Sequence, residues 1–192
     1  MDDPFALFGR WYAEAELAEP DNPNAMALAT GGEDGIGVRM VLCKHWDERG
    51  FVFYTNLDSR KAHEIAANPR VCLLFYWKSL ARQVRIDGLA RQLPDAEADA
   101  YFATRPRGSQ LGAWASHQSA EMPGGRADFA RRLEEITKRF AGQTVPRPPF
   151  WSGYRVTPDA IEFWEEQPFR WHERRLFRRT KTGGWTMTWL YP

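Results

Sequence analysis

Short apolar runs separated by brief polar turns dominate this sequence, and they constrain its fold more than any other feature. VRMVLCKHW (38–46) and FVFYT (51–55) flank the tight turn DERG (47–50), which is the pattern of two antiparallel strands. Turn signals also occur in GGEDGIG (31–37) and TKTGG (180–184). Further strands are predicted over 25–30, 70–77, 81–93, 154–158, 160–164, 169–177 and 185–190.

Helical patterns interrupt these strands. The first covers residues 3–19, where Asp3 can cap the helix and Pro4 fits its first turn. Its apolar face is formed by Phe5, Phe8, Trp11, Tyr12 and Ala15. Further helices are predicted over 58–69, 94–104, 109–116 and 126–141, and an extended connection over 142–153. Because no repeat or second-domain boundary is visible, we expect one α+β domain over 1–192, an antiparallel barrel with peripheral helices.

The formal net charge of +1 limits the kinds of partner that this chain can bind. A general nucleic-acid binder carries a clear basic excess, so the arginine-rich stretch QPFRWHERRLFRR (167–179) is predicted to be a local feature. Nine Trp and twelve Phe in 192 residues can fill a core and can also line a pocket for a flat ligand.

Several common functional signals are missing from the sequence. The four histidines show no metal spacing with one another or with the cysteines, and neither a P-loop nor a G-x-S-x-G elbow occurs. Cys43 and Cys72 sit inside apolar runs, where reduced thiols pack as small hydrophobes. The first residues lack a signal-peptide pattern, and no apolar run approaches the length of a membrane span. We therefore expect a cytoplasmic protein without a metal site.

Two groups of residues could bind anions. Arg60 and Lys61 lie in the first turn of a predicted helix, where positive charge opposes the helix dipole unless an anion is bound there. Tyr101 and Arg105 share a helix face, and Ser109 begins the next helix, so the three could bind a phosphate together. The ordinary alternative for Arg60 and Lys61 is a solvated charge pair. For the second group it is an arginine at a helix end next to a serine that caps the following helix.

Two further groups of basic residues lead to different expectations. Arg39 and Lys44 are five residues apart, so they point to opposite faces of a regular strand. We therefore expect them to be exposed residues at the two ends of a strand, not members of one site. If 169–175 is a strand, Arg170, His172 and Arg174 share one face. Such a row suits an anionic or aromatic ligand, although a basic strand edge also protects against aggregation.

Taken in chain order, a series of segments resembles the pyridoxamine 5′-phosphate oxidase family. They are RMVLCK (39–44), FYTNLDSRKAHEIAANPRV (53–71), RQVRIDG (82–88), YFATRPRGSQLGAWAS-QS (101–119, with His117 at the gap), PRPPFWSGYRV (146–156), IEFW (161–164) and RWHER (170–174). The resemblance covers nearly the whole chain. It implies an antiparallel split β-barrel of the FMN-binding type, assembled as a homodimer with FMN at the subunit interface.

The resemblance also implies a site and a reaction. The residues implied to contact or flank FMN are Arg39, Met40, Val41, Lys44, Tyr54, Thr55, Arg60, Lys61, Gln83, Gln118, Ser119, Trp164 and Arg174. Those implied to bind the substrate are Lys44, Tyr101, Arg105, Ser109, Arg170 and His172, and the catalytic roles fall to Arg170 and His172. The family oxidises pyridoxine or pyridoxamine 5′-phosphate. A hydride passes from substrate C4′ to flavin N5, and oxygen reoxidises the flavin to give pyridoxal 5′-phosphate and hydrogen peroxide.

Three features depart from the family pattern. The chain begins at the first predicted helix, without the longer basic segment common in the family. Trp171 stands where a smaller aliphatic residue is frequent, and Trp189 stands where arginine is frequent. None of these changes removes a residue implied to bind FMN or substrate. Arg175, Arg178 and Arg179 have no implied role and are expected to be solvated.

Three alternative functions remain at this point. The first is a flavin oxidase of the same fold acting on another aromatic substrate, such as a phenazine precursor, and it is disfavoured because the substrate-phosphate residues are all present. The second is a non-catalytic carrier of pyridoxal phosphate or FMN, which would not need Arg170 and His172. The third is a nucleic-acid binder, which the near-neutral net charge disfavours. No membrane partner is expected.

Overall fold

The computed structural model describes residues 3–32 and 35–192, and within them the backbone forms nine strands and five helices. The strands are β1 (Ala25–Gly32), β2 (Gly35–Leu42), β3 (His45–Asp47), β4 (Gly50–Asn56), β5 (Arg70–Trp77), β6 (Arg82–Gln92), β7 (Trp151–Glu165), β8 (Glu173–Arg179) and β9 (Trp185–Trp189). The helices are α1 (Pro4–Ala18), α2 (Arg60–Ala67), α3 (Asp95–Thr104), α4 (Arg107–Ala115) and α5 (Arg126–Arg139).

The strands form one antiparallel sheet that branches at β7. The main order is β2-β1-β5-β6-β7-β4-β3, and β8 pairs with both β7 and β9. On the side of β7 away from β6, residues 151–156 pair with β4 and residues 160–165 pair with β8. Pro158 lies between these two segments. Proline has no backbone N–H, so its position between the paired segments leaves no hydrogen-bond donor without a partner. The predicted antiparallel α+β fold is therefore confirmed.

Helix α1 closes the main core. The Asp3 carboxylate accepts hydrogen bonds from the backbone N–H groups of Phe5 (3.1 Å) and Ala6 (3.2 Å), so the predicted cap is confirmed. Phe8 is fully buried, and its ring centroid lies 4.9 Å from that of Phe51 on β4. It also lies 5.2 Å from the Phe75 ring on β5. Aromatic edge-to-face contacts of this kind join α1 to the sheet.

A second, smaller core lies under helices α3 to α5. Its buried members are Phe102, Leu111, Phe140, Val145 and Trp151. These side chains come from α3, from α4, from the chain after α5 and from the first residue of β7. Trp151, the first residue of β7, joins this cluster to the sheet, and the candidate site lies beside it.

Two predictions of where strands begin and end are wrong. The predicted strand over 38–46 is divided, because β2 ends at Leu42 and β3 begins at His45. The separate runs 154–158 and 160–164 form one strand, β7, across a register shift at Asp87 and Gly88 of β6. Gly88 is required there, since a Cβ on it would overlap the backbone of Thr157.

The predicted strand over 169–175 is also wrong at its start. Residues Pro168–Arg170 form a 3₁₀ turn, and β8 begins only at Glu173. Phe169 and Arg170 have φ angles of 58° and 63°, a left-handed conformation that no strand contains. The strand alternation that placed Arg170, His172 and Arg174 on one face therefore does not apply.

Other local expectations have mixed outcomes. Helix α4 begins at Arg107 with Pro106 at the N-cap, so Ser109 lies inside the first turn and is not the cap. The GGEDGIG turn falls largely on residues 33 and 34, which lie outside the described residues, although Gly32 and Gly35 on either side are paired. No helix among the described residues is long and apolar enough to cross a membrane.

Both cysteines are free, as expected from the apolar runs in which they lie. Burial raises the pKa of the Cys43 thiol to about 12, and the same cause raises the pKa of Cys72 to about 12. Thiols with such pKa values stay protonated at neutral pH and are poor nucleophiles. The two cysteines are therefore packing residues.

Candidate functional site

A cavity of about 790 Å³ lies where α2, α3 and α4 meet β2, β4 and the start of β7. This volume is in the range of sites that hold a cofactor or a small ligand. Its lining residues are Arg39, Met40, Val41, Leu42, Lys44, Tyr54, Thr55, Asn56, Arg60, Lys61, Tyr101, Arg105, Ser109, Gly112, Ala113, Ser116, Gln118, Ser119 and Trp151. Thirteen of the residues singled out in the sequence are in this set.

The cavity brings together Arg39 and Lys44, which the strand alternation had placed apart. That expectation is wrong because β2 ends at Leu42, so Lys44 follows the end of the strand and its side chain no longer alternates with that of Arg39. Met40 and Val41 line the same wall from β2.

One part of the cavity is organised around the buried ammonium of Lys61. It donates hydrogen bonds to Gln118 Oε1 (2.9 Å), Thr55 Oγ1 (3.2 Å) and Ser59 Oγ (3.2 Å). Burial, and then repulsion from Arg39, lower the pKa of Lys61 to about 8. Lys61 also lies in the first turn of α2, where backbone N–H groups have no partner within the helix. An anion bound here would meet both kinds of donor.

Next to Lys61, the carboxylate of Glu64 holds two arginines. It accepts hydrogen bonds from Arg39 Nη2 (2.9 Å) and Arg60 Nε (2.7 Å). The Thr30 hydroxyl donates to the same carboxylate and accepts from Arg39. The hydrogen bond from Thr30, together with those from the two arginines, outweighs the effect of burial and lowers the pKa of Glu64 to about 2. Glu64 was not among the predicted site residues, although its spacing of four residues from Arg60 was a usable signal.

Three stacked aromatic rings form another wall. The Tyr54 and Tyr101 rings lie 3.9 Å apart at 11°, and the Tyr54 and Trp151 rings lie 5.2 Å apart at 5°. Burial raises the pKa of Tyr54 to about 12, and it also raises that of Tyr101. Both phenols therefore remain protonated at neutral pH and can donate hydrogen bonds.

Arg105 supplies a second cationic centre beside this stack. Its guanidinium carbon lies 4.8 Å from the centroid of the Trp151 ring, so the aromatic face holds the side chain in place. Its Nη1 atom is buried and has no hydrogen-bond partner among the described residues. Lys44 and Ser109 line the same cavity, so an ammonium and a hydroxyl are available to a ligand there together with the Nη1 of Arg105. This arrangement fits a second anion.

The other predicted site residues lie outside the cavity lining and form a second group, the arm group: Gln83, Trp164, Arg170, His172 and Arg174. Gln83 of β6 is in register with Trp164 of β7, which is in register with Arg174 of β8. The His172 ring lies 4.7 Å from that of Trp164. Arg170 is exposed in the 3₁₀ turn. A single chain therefore places the predicted residues in two separate groups.

Comparison with known proteins identifies the family. Residues 13–140 match the family model described as pyridoxamine 5′-phosphate oxidase. The chain belongs to the pyridoxamine 5′-phosphate oxidase family. Residues 151–192 match a model described as the pyridoxine 5′-phosphate oxidase C-terminal dimerisation region. This matched segment of the chain contains four of the five residues of the arm group.

Curated relatives and solved structures agree with this assignment. Proteins named pyridoxine/pyridoxamine 5′-phosphate oxidase from Sphingopyxis alaskensis and Rubrobacter xylanophilus are 60% and 56% identical to this chain. The first match covers 100% of this chain and 88% of the relative, and the second covers 99% and 87%. The structure is also similar to that of PhzG from Burkholderia lata in complex with tetrahydrophenazine-1-carboxylic acid. That likeness has a TM-score of 0.92 and 34% identity, over 100% of this chain and 94% of the other.

A more distant structure supports the fold alone. A pyridoxamine 5′-phosphate oxidase-related, FMN-binding protein from Nostoc punctiforme has a TM-score of 0.78 at 15% identity, over the whole of both chains. The antiparallel α+β architecture is thus shared with proteins of quite different sequence. The family assignment makes the chain an oxidoreductase related to flavoproteins of vitamin B6 metabolism.

Proposed function

We propose that this chain binds FMN and uses oxygen to oxidise pyridoxine or pyridoxamine 5′-phosphate to pyridoxal 5′-phosphate and hydrogen peroxide. The observation that carries the proposal is the presence of two cationic centres in one cavity, around Lys61 and around Arg105. The reaction needs two ligands that each carry a phosphate, a cofactor and a substrate. Each centre offers donors to one phosphate.

In this proposal the Lys61 end holds the FMN phosphate. Arg39, Lys61, Gln118 and Ser119 bind the phosphate and ribityl chain, with Arg60 and Thr55 beside them. The remaining proposed FMN contacts within the cavity are Met40, Val41, Lys44 and Tyr54. When bound, FMN supplies the hydride acceptor of the reaction, and the chain supplies position and charge. Gln83, Trp164 and Arg174 are proposed to flank the flavin ring.

The Arg105 end holds the substrate phosphate. Tyr101, Arg105, Ser109 and Lys44 are proposed to bind it, since all four line the cavity and carry hydrogen-bond donors. Holding this phosphate fixes the substrate ring at a set distance from the flavin, which is the main contribution that a binding site makes to such a transfer. Arg170 and His172 lie against the pyridine ring in this proposal. Arg170 orients the substrate and assists proton removal.

The proposed active unit is a homodimer formed by the one FMN-binding split-barrel domain that we propose for residues 1–192. The arm group of one chain lies outside its own cavity lining, so a second chain is needed to bring Arg170 and His172 to the substrate. The match of residues 151–192 to a dimerisation region supports this arrangement. So does β2, an edge strand of the sheet whose Ile36, Val38 and Met40 side chains are exposed. Such a stripe of apolar groups is typical of a surface that is covered in an assembly.

The test is a direct one. The purified protein is expected to be yellow and to release FMN on denaturation, and the loaded dimer is expected to consume oxygen with pyridoxine or pyridoxamine 5′-phosphate. A colourless protein that cannot be reconstituted with FMN would contradict the whole proposal. FMN binding without turnover would leave a carrier, or an oxidase of another substrate.

A second candidate is an oxidase acting on a reduced phenazine precursor. The observation in its favour is the structural likeness to PhzG, whose crystal structure contains tetrahydrophenazine-1-carboxylic acid. That ligand carries one carboxylate and no phosphate, so it offers fewer acceptor oxygens and less charge to the donors around Arg105 than a phosphorylated substrate does. Steady-state rates with both substrate classes decide between the two functions, and we expect the phosphorylated substrates to be preferred.

A further inference from the structure

Glu64 is an acidic side chain in a site that is proposed to bind an anion. Its side chain is 8% exposed, and its carboxylate meets Arg39 Nη2 at 2.9 Å and Arg60 Nε at 2.7 Å. The two arginines line the cavity, whereas Glu64 lies behind them and is absent from the lining. A carboxylate in this position does not contact the ligand space. It acts on the two guanidinium groups that do.

Two glycines of the β1–β2 hairpin have no side chain and so make room for this ion pair. A Cβ on Gly32 would lie 2.9 Å from Glu64 Cγ, and a Cβ on Gly37 would lie 3.2 Å from both Glu64 carboxylate oxygens. The Gly37 Cβ would also overlap Arg39 Nη2. Neither glycine has the positive φ that only glycine adopts readily. Both are therefore needed for space, and this gives part of the glycine cluster at 31–37 a role besides forming a turn.

The two arginines depend on Glu64 to different degrees. Arg39 also donates to the Leu28 carbonyl and to the Thr30 hydroxyl, so its position is fixed on several sides. The Arg60 side chain is 57% exposed, and among the described residues its side-chain hydrogen bonds go to Glu64 alone. Without the carboxylate, Arg60 would be free to move into solvent. It would also be repelled by Arg39 and Lys61.

We propose that Glu64 is a positioning residue that holds Arg39 and Arg60 in the geometry that binds the FMN phosphate. This inference rests on the proposed function of the cavity. Arg39, Arg60 and Lys61 together carry three positive charges, and Glu64 reduces their sum to +2. A phosphate monoester carries about −1.5 to −2 at neutral pH, so the four groups nearly match it in charge. Glu64 thus lowers the repulsion within the empty site and keeps the donors in place.

Glu64→Ala is the main test variant. We expect the Kd for FMN, measured by quenching of flavin fluorescence, to rise about 10- to 100-fold, because the two charge-assisted hydrogen bonds that orient the arginines are lost. Glu64→Gln keeps an oxygen that can accept from one arginine and is expected to recover part of the affinity. The ³¹P resonance of bound FMN is expected to shift in both variants, while the visible flavin spectrum stays unchanged.

Two further variants separate positioning from folding. Gly37→Ala intrudes on Arg39 from a partly exposed edge strand without altering any charge, and it is expected to weaken FMN binding and shift the ³¹P resonance. Glu134→Ala removes another i,i+4 carboxylate pair, that with Lys138 on α5, which does not line the cavity. It changes the net charge as Glu64→Ala does and is expected to leave FMN binding unchanged.

The outcomes are distinct. A Glu64→Ala protein that binds FMN as tightly as the wild type, or more tightly, overturns the inference, because the carboxylate then acts only as an opposing charge. Unchanged FMN binding and an unchanged ³¹P resonance in Gly37→Ala overturn it as well. A wild-type protein that binds neither FMN nor inorganic phosphate overturns the proposed function and this inference together. Tight FMN binding by every variant overturns the inference alone.

Discussion

Replacing Arg105 with alanine tests how the two cationic centres are assigned. The guanidinium rests on the Trp151 ring at 4.8 Å, and its buried Nη1 has no partner among the described residues. These donors are free to make charge-assisted hydrogen bonds to a phosphate, each contributing about 1.5–3 kcal/mol. Losing one such bond raises KM about 10- to 150-fold. We therefore expect the KM for pyridoxamine 5′-phosphate to rise by that factor, and the Kd for FMN to stay within about twofold because the Lys61 end is intact.

The assay is oxygen uptake by the FMN-loaded protein, with flavin fluorescence to measure FMN binding separately. Arg139→Ala is a matched control, since Arg139 also stacks on aromatic rings, 5.0 Å from Trp114, but does not line the cavity. It is expected to change neither constant. If Arg105→Ala instead loses FMN and keeps its KM, the phosphate sites have been assigned the wrong way round. If neither constant changes, Arg105 binds no anion.

The remaining predictions concern pH, assembly and stability. FMN affinity is expected to be nearly constant from about pH 7, where the phosphate is largely dianionic, up to pH 8. Above pH 8 it is expected to fall up to about tenfold per pH unit, because the pKa of Lys61 is about 8 and binding to neutral Lys61 must take up a proton. Titrations at several pH values check this, and the slope above pH 8 should vanish in Lys61→Met. Arg105→Ala and Arg170→Ala proteins are mixed and assayed at a substrate concentration far below the raised KM of Arg105→Ala, where neither protein alone turns over at an appreciable rate. The mixture is expected to regain roughly a quarter of the wild-type sites, since a heterodimer holds one intact site if the arm group comes from the partner. No recovery after subunit exchange would place both residues in one chain's site. Phe8→Ala is expected to lower the free energy of unfolding, measured by urea titration, by about 3–5 kcal/mol, since the ring is fully buried. The control Leu17→Ala, on the exposed face of the same helix, is expected to change the free energy of unfolding by about 0.5 kcal/mol or less.

Features set by neighbouring residues could be predicted from the sequence. The Asp3 cap and the apolar face of α1 follow from residues within one helix. The strand over 70–77 has the bounds that its apolar run indicated. Arg60 and Lys61 do occupy the first turn of α2. In each case the residues that indicate the element lie within the element itself, so its position could be predicted without knowledge of any tertiary contact.

Features set by distant contacts could not be predicted. Arg170 was placed by strand alternation, but a left-handed turn precedes β8 and removes the alternation. Trp151 lies at the end of a segment predicted only as an extended connection, and its role in the aromatic wall depends on Tyr54 and Tyr101 from other elements. Arg175 was expected to be solvated. It is partly buried, with its guanidinium 5.5 Å from the Trp11 ring and 6.0 Å from the Trp189 ring.

The resemblance in sequence named residues that the local patterns could not bring together. Arg39 and Lys44 illustrate this, since strand alternation argued against a shared site and the resemblance placed both near FMN. The geometry places both in the cavity lining, because β2 ends between them. Glu64 shows the opposite case. Neither source singled it out, and its part in the site follows from its contacts with Arg39, Arg60 and Thr30.

The two ends of the cavity hold positive charge in different ways, and the difference fits the ligands proposed for them. At the end proposed for FMN, a carboxylate pairs with Arg39 and Arg60, so the affinity for FMN would depend on donors already set in position. At the other end Arg105 rests on Trp151 and has no ion-pair partner among the described residues. A bound cofactor stays through many turnovers, and a site whose donors are held in place and whose charge nearly matches the phosphate suits it. Substrate and product must exchange in every turnover, and an unpaired guanidinium attracts an incoming phosphate at longer range. A carboxylate therefore contributes to binding at one end, whereas at the other it would repel each arriving substrate.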